Sequence, residues 1–125
     1  MSRGFDPGGR LASFANAGRG VLVLLGEPNA RLQLLVALAV LVLGLWLDLD
    51  RQDWALLSLA IGLVLASEAA NTALEALADR TAPEPHPLVG RAKDVAAAGV
   101  LIASLAAAAL GLLVLGPPLW ARLSG

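Results

Sequence analysis

Three long apolar runs, separated by short polar segments, dominate the chain. The first covers residues 32–47, the second begins at Trp54, and the third covers residues 95–116. An α-helix rises about 1.5 Å per residue, so it needs about 20 residues to cross about 30 Å of hydrocarbon. The third run has that length, whereas the first must include some flanking residues to reach it. The pattern predicts three membrane-spanning helices, at about residues 29–48, 53–79 and 91–116.

A fourth helix is predicted ahead of these spans, at about residues 10–26. On a helical wheel its apolar residues fall on one side, opposite its polar ones. The apolar side carries Leu11, Phe14, Ala17, Val21 and Leu25, and the other side carries Ser13, Asn16 and Arg19. This pattern favours a helix lying at the membrane interface, although an ordinary amphipathic packing helix would look similar. The Gly- and Pro-rich residues 1–9 are predicted to be a flexible tail.

Composition supports this all-α membrane architecture in one domain, residues 10–125. The 125 residues are 58% apolar and 15% charged, whereas an average soluble domain is about 45–50% apolar and about 25% charged. No cysteine is present, which excludes disulfides and thiolate chemistry. The formal net charge of −1 says nothing about nucleic acid, but the sequence has no basic patch or aromatic ladder, so we expect no nucleic-acid partner.

The basic residues predict the orientation in the membrane. Seven lie on one predicted side: Arg3, Arg10, Arg19, Arg31, Arg80, Arg91 and Lys93. Only Arg51 and Arg122 lie on the other. Because basic residues concentrate in cytoplasmic loops, we predict a cytoplasmic N-terminus, a cytoplasmic 80–93 loop and an external C-terminus.

A polar stripe interrupts the second span near its cytoplasmic end, in the stretch SEAANTALEALADR (67–80). At 100° per residue, Glu68, Asn71, Glu75 and Asp79 lie at about 0°, −60°, −20° and +20° on the helix. Glu68 is about 22 Å beyond Asp53 along the helix, so it remains at the depth of the inner leaflet. Ionisable groups inside a span are costly and usually face a bundle interior or an aqueous site.

This stripe suits phosphoryl transfer to a membrane alcohol. Carboxylates near a phosphate suit Mg²⁺, and nearby lysine and arginine suit the phosphates themselves. A carboxylate at lipid depth could accept the proton of an attacking hydroxyl. The chain lacks the Walker and protein-kinase motifs.

Other interpretations remain open at this point. The charged pairs at 79–80 and 93–94 could simply flank helices at the interface, and Asp94 could cap the third span. His86 could be an incidental loop residue. Trp46, Trp54 and Trp120 fit an aromatic belt on the outer side. A small proton-coupled transporter that uses Glu68 as its proton carrier is the rival function.

Two blocks of this sequence resemble the small bacterial membrane kinases, the diacylglycerol kinase and undecaprenol kinase family. EAANTALEALADR (68–80) is similar to the family signature Glu-x-x-Asn-[Ser/Thr]-Ala-[Ile/Leu]-Glu-x-x-x-Asp-Arg, and GRAKDVAAAGVL (90–101) to its Gly-Arg-Ala-Lys-Asp block. RLASFANAGRG (10–20) and EPNARLQ (27–33) look closer to the undecaprenol kinase branch. At Gln33 the chain departs from both branches, which have glutamate or histidine there.

The resemblance implies a homotrimer of three-span subunits in the bacterial inner membrane, with active sites shared between neighbours. It implies a lipid kinase that uses ATP and Mg²⁺ to phosphorylate undecaprenol, which the branch resemblance favours, or diacylglycerol. By position, Glu68 would be the catalytic base, and Glu27 and Glu75 would bind the nucleotide's Mg²⁺. ATP would also contact Arg10, Glu84, His86, Lys93 and Asp94. The lipid would contact Arg10, Arg31, Trp46, Glu68 and Asn71.

Overall fold

The chain forms four helices and no strand over residues 7–125, the part that this computed structural model describes. The helices are α1 (Pro7–Gly26), α2 (Pro28–Trp46), α3 (Arg51–Thr81) and α4 (Pro87–Ser124). The prediction of an all-α protein is therefore confirmed. Helices α2, α3 and α4 are long and apolar enough to cross a membrane. Residues 1–6, most of the predicted tail, lie outside the described residues.

Helices α1, α3 and α4 are longer than the hydrophobic pattern indicates, and two of them begin at prolines. Helix α1 begins at Pro7 rather than at residue 10, and α4 runs from Pro87 to Ser124 rather than over residues 91–116. Proline fits the first turn of a helix because its φ is already helical and its missing N–H would be unpaired there. Near the other end, Pro117 and Pro118 lie inside α4 instead of ending it. Proline has no N–H to donate, so each of them costs the helix one backbone hydrogen bond, and its ring crowds the carbonyl four residues earlier.

The turn between α2 and α3 is a tightly hydrogen-bonded cap. Asp48 has a φ of 54°, the left-handed conformation that commonly ends a helix. The Leu49 amide then donates to the Gly44 carbonyl at 3.2 Å, and the Asp48 amide to the Leu45 carbonyl at 3.4 Å. The Asp50 carboxylate accepts two amide hydrogen bonds from the first turn of α3, at 2.8 and 2.9 Å. This turn makes α2 and α3 antiparallel neighbours.

The ends of α2 and α4 that are predicted to face outward, called the outer ends below, meet at an aromatic side chain. The Arg122 guanidinium lies 4.9 Å from the ring centroid of Trp46 and donates a hydrogen bond to the Trp46 carbonyl. It also lies 3.8 Å from the Asp48 carboxylate. A cation over an indole ring is attracted by the negative face of the ring. This contact holds the extended end of α4 against the end of α2.

Helix packing is uneven along the bundle. Helices α3 and α4 pack against each other extensively, whereas α2 makes few contacts with α4. Helix α2 meets α3 near the outer end, where Gly44 contacts Trp54, and near the inner end, where Gln33 contacts Glu68. A groove of about 620 Å³ is left between the three helices.

Most large apolar side chains point away from the bundle. Leu112 and Leu113, for example, are 75% and 77% exposed. In water such a surface would be costly, but in lipid it meets an apolar medium. The exposure pattern is therefore that of a membrane protein, in agreement with the composition.

We predict that Gly44→Ala destabilises the fold. An added Cβ would lie 2.7 Å from Trp54 Cη2 and 3.0 Å from Leu49 Cδ1, so the indole ring would have to shift. Overpacking of this kind costs about 1–3 kcal/mol. The free energy of unfolding in detergent micelles measures the effect.

Gly62→Ala is the matched control, because a Cβ there meets no atom within 4 Å. Alanine in a helix interior is more stable than glycine by about 0.5–1 kcal/mol, so this variant should equal or exceed the parent. Equal stabilities for the two variants would contradict the close approach of Gly44 to Trp54.

Candidate active site

The deepest polar group of the bundle is the carboxylate of Glu68. Glu68 is 2% exposed, and Asn71, one turn further along α3, is 8% exposed. Gln33 of α2 donates a hydrogen bond from Nε2 to Glu68 Oε2 at 3.1 Å. A buried carboxylate needs such a donor, because desolvation without a partner is costly. The start of the polar stripe thus faces the neighbouring helix instead of lipid.

Two acceptor atoms near Glu68 are left unsatisfied. Asn71 donates from Nδ2 to Glu75 Oε1 at 3.3 Å, but its Oδ1 is buried with no hydrogen-bond partner among the described residues. Gln33 Oε1 is in the same situation. Buried polar atoms in proteins are rarely unpaired, and each unpaired one costs about 1–3 kcal/mol. Two of them beside one buried carboxylate mark a place where a ligand with hydrogen-bond donors could bind.

An apolar groove leads to this polar cluster. Its walls come from α2, α3 and α4, and its side chains are almost all aliphatic. Gln33 and Ser104 are the two polar residues among those that line it. Because Gln33 also contacts Glu68, the groove and the buried carboxylate share one side chain.

Charged residues lie at the C-terminal end of α3 and the N-terminal end of α4, and together they form a charged rim. Lys93 Nζ donates to Asp79 Oδ1 at 2.8 Å, which ties the two helix ends together. Both side chains are substantially exposed, so solvent screens the pair and it adds little to stability. Asp94 is exposed in the second turn of α4. It does not cap the helix, because His86 is the N-cap and its Nδ1 accepts from the Leu88 amide at 3.2 Å.

The predicted metal ligands lie at similar depths on antiparallel helices. Glu27 is six residues before Gln33, about 9 Å along α2, and Glu75 is seven residues beyond Glu68, about 10.5 Å along α3. Gln33 and Glu68 are in contact, so both carboxylates lie roughly 10 Å from that contact, toward the end of the bundle that carries Asp79 and Lys93. No three Asp, Glu, His or Cys side chains of residues 7–125 form a ready metal cluster. Oxygen donors of this type nevertheless suit Mg²⁺ that is already bound to phosphate.

Arg31 connects α2 to the end of α1 by hydrogen bonds. Its guanidinium donates to the carbonyls of Leu25 and Gly26, at 2.9 and 3.0 Å, at the C-terminus of α1. A cation at this end of a helix satisfies unpaired carbonyls and the helix dipole. Arg31 therefore fastens α1 to the start of α2.

The remaining predicted site residues are more widely spread. Trp46 is thirteen residues from Gln33, about 20 Å along α2, and lies at the opposite end of the groove region. Arg10 is exposed on α1, and Glu84 is exposed in the 82–86 loop. The single chain thus brings Glu68, Asn71 and Glu75 together on α3 but does not bring Trp46 to them.

Comparison with known protein families identifies the family of this chain. The model of the family described as prokaryotic diacylglycerol kinase matches residues 15–115, which include the buried cluster and the charged rim. The chain belongs to this family. The predicted class of enzyme, a lipid kinase, is confirmed, and the transporter alternative falls away.

Individual relatives of this kinase include both branches of the family. This chain is 35% identical over 108 residues to the undecaprenol kinase of Bacillus subtilis (strain 168), and the match covers 86% of this chain and 88% of that protein. It is 40% identical over 83 residues to the diacylglycerol kinase of Escherichia coli (strain K12), covering 66% and 68%. A diacylglycerol kinase of Synechocystis sp. is 38% identical over 111 residues, covering 87% of this chain and 63% of that protein.

Gln33 is the residue of this kinase site that the sequence analysis did not assign. The available signal was its place in the first apolar run, where it is the one polar side chain between Arg31 and Asp48. Its pairing with Glu68 depends on the register between α2 and α3, which no local pattern reveals.

Proposed function

We propose that this kinase transfers the γ-phosphoryl group of ATP to the hydroxyl of a membrane lipid alcohol at the cytoplasmic membrane face. The observation that carries the proposal is a buried carboxylate, Glu68, at the end of an apolar groove and below a charged rim. The groove suits a hydrocarbon chain, and the rim suits a nucleotide. Glu68 lies where the two would meet.

In the proposed reaction Glu68 is the general base. Its carboxylate takes the proton of the lipid hydroxyl while the hydroxyl oxygen forms a bond to the γ-phosphorus. The bond from that phosphorus to the ADP oxygen breaks, and ADP leaves. Burial beside Gln33 and Asn71 keeps bulk water from competing as the acceptor.

The nucleotide would bind at the cytoplasmic rim through residues implied by family membership. Glu27 and Glu75 would hold the Mg²⁺ of the nucleotide, which neutralises charge on the transferring phosphates. Lys93, held by Asp79 at 2.8 Å, would contact the phosphates. The other proposed ATP contacts are Arg10, Glu84, His86 and Asp94.

For the lipid, undecaprenol is favoured over diacylglycerol. The support for this preference is the resemblance of the blocks at 10–20 and 27–33 to the undecaprenol branch. Coverage does not separate the branches, because the B. subtilis undecaprenol kinase aligns with 86% of this chain and the Synechocystis diacylglycerol kinase with 87%. Arg10, Arg31, Trp46 and Asn71 are the proposed lipid contacts beside Glu68.

A homotrimer explains how the scattered residues could form one site. Trp46 is about 20 Å from Gln33 within one chain, so its proposed lipid contact would require a neighbouring subunit or a long substrate. The small residues at 96–99 and 106–109 of α4 permit close helix approach between subunits. Helix α1, whose apolar side chains such as Phe14 are exposed, would lie at the cytoplasmic membrane interface.

We predict that Glu68→Gln folds and binds ATP but barely turns over. The amide keeps the size of the side chain and cannot accept the hydroxyl proton, a loss worth about 10²–10⁴ in rate. Purified protein in mixed micelles, supplied with labelled ATP, Mg²⁺ and either undecaprenol or diacylglycerol, measures both turnover and lipid preference. Light scattering with correction for detergent should give the mass of three chains for parent and variant alike.

Each part of this experiment can fail separately. Turnover above about a tenth of the parent value would contradict the base assignment. A higher specificity constant for diacylglycerol would reverse the lipid preference. Absence of phosphorylated product from the parent with every alcohol would overturn the proposed reaction.

We predict that Glu27→Gln and Glu75→Gln each raise the Mg²⁺ concentration needed for half-maximal activity and lower turnover. Each variant removes one anionic oxygen ligand from the proposed pair. Titration of Mg²⁺ at fixed ATP measures the effect. Asp53→Asn is the control, since it removes a carboxylate at the opposite end of α3 that is assigned neither to the metal nor to ATP. Unchanged Mg²⁺ dependence in both variants would place the metal elsewhere.

We predict that reporters fused at Gly125 and inserted near Pro85 report opposite sides of the membrane. Three apolar helices and the excess of basic residues on one side favour a cytoplasmic 82–86 loop and an external C-terminus. A paired alkaline phosphatase and fluorescent protein assay in cells distinguishes the two sides. Signals from the same side would exclude the three-span topology.

A further inference from the structure

Gln33 joins two features that the proposed mechanism treats separately. It lines the apolar groove, and its Nε2 donates to Glu68 Oε2 at 3.1 Å. In the described part of the chain this is the only side-chain hydrogen bond that links α2 to α3. The side chain therefore lies between the groove and the proposed base.

The hydrogen bond restricts the carboxylate of Glu68. A glutamate side chain has three rotatable bonds, and its position here is set by this bond and by packing within the bundle. Catalytic groups must be held to within about 0.5 Å of their productive position, and a misplacement of about 1 Å can cost about 100-fold in rate. A side chain that donates to Glu68 thus acts on the rate without touching phosphate.

The oxygen of the Gln33 amide is a second polar atom at the groove. Gln33 Oε1 is buried and has no hydrogen-bond partner within residues 7–125. It is an acceptor on a residue that lines the groove, and the hydroxyl of an alcohol is a donor. An alcohol that arrives along the groove can satisfy this acceptor before its hydroxyl turns to Glu68.

We propose that Gln33 is a positioning residue for phosphoryl transfer, which fixes the Glu68 carboxylate through Nε2 and receives the acceptor hydroxyl at Oε1. This inference rests on the proposed role of Glu68 as the base. It assigns to Gln33 no bond making or breaking; the proton still passes from the hydroxyl to Glu68. The amide selects for a ligand that has a donor at the end of an apolar chain.

The principal test is Gln33→Met, which keeps the length and flexibility of the side chain and removes both polar atoms. In mixed micelles with undecaprenol, we expect kcat to fall about 10- to 100-fold and KM for the alcohol to rise. KM for ATP should stay within about twofold, because Gln33 lies some 10 Å from the proposed nucleotide ligands along the helices. Gln33→His restores a donor and should recover part of kcat.

Ser58→Ala is the matched control. Ser58 is an exposed polar residue of α3 that does not line the groove, and no hydrogen bond joins it to Glu68 in the described chain. Its kcat should remain within about twofold of the parent value. Unfolding midpoints in micelles are measured for all variants, since a purely structural Gln33 would lower the midpoint and leave kcat of the folded protein unchanged.

A double-mutant cycle tests whether Gln33 acts through Glu68. In the Glu68→Gln background, single-turnover rates should not fall further when Gln33→Met is added, because the group that Gln33 positions is already lost. Additive losses would overturn the positioning role, as would a Gln33→Met enzyme with kcat within twofold of the parent value. If Glu68→Gln itself stays active, the proposed base is wrong and the role of Gln33 falls with it.

Discussion

The structure depends on one buried polar contact, the hydrogen bond from Gln33 to the Glu68 carboxylate. A carboxylate at this depth, 2% exposed, is tolerable only where a neighbouring helix offers a donor. That requirement sets the register of α2 against α3, because a shift by one residue would turn Gln33 about 100° away. It also places the two proposed metal ligands, Glu27 and Glu75, at similar depths.

The rest of the bundle holds this contact in place while leaving space beside it. At the outer end, Gly44 lets the Trp54 ring approach α2, and Arg122 covers the ring of Trp46. At the inner end, Lys93 and Asp79 join α4 to α3. Because α2 is held near its ends, it can stand apart from α4 in between, and the apolar groove lies there.

Helical polarity explains why this fold suits chemistry at a membrane surface. The stripe on α3 runs from a buried carboxylate at Glu68 to an exposed one at Asp79, so one helix face reaches from the interior of the bundle to its charged rim. A hydrophobic alcohol and a charged nucleotide cannot share one solvent. A helix face that changes from buried to exposed along its length can contact both kinds of molecule. Membership of the prokaryotic diacylglycerol kinase family agrees with this.

The sequence by itself determined the all-α class, the three apolar helices and the polar stripe, because each depends on periodicity and length within one segment. It also contained the blocks that resemble the family. Only the tertiary structure decided that Gln33 pairs with Glu68, that Arg31 caps α1, and that His86 rather than Asp94 caps α4. Pro117 and Pro118 also lie inside α4, where the local pattern predicts the end of a helix. Contacts between segments, such as that of Arg122 with Trp46, depend on helix register and on chain reversal at the turns, which no single segment encodes.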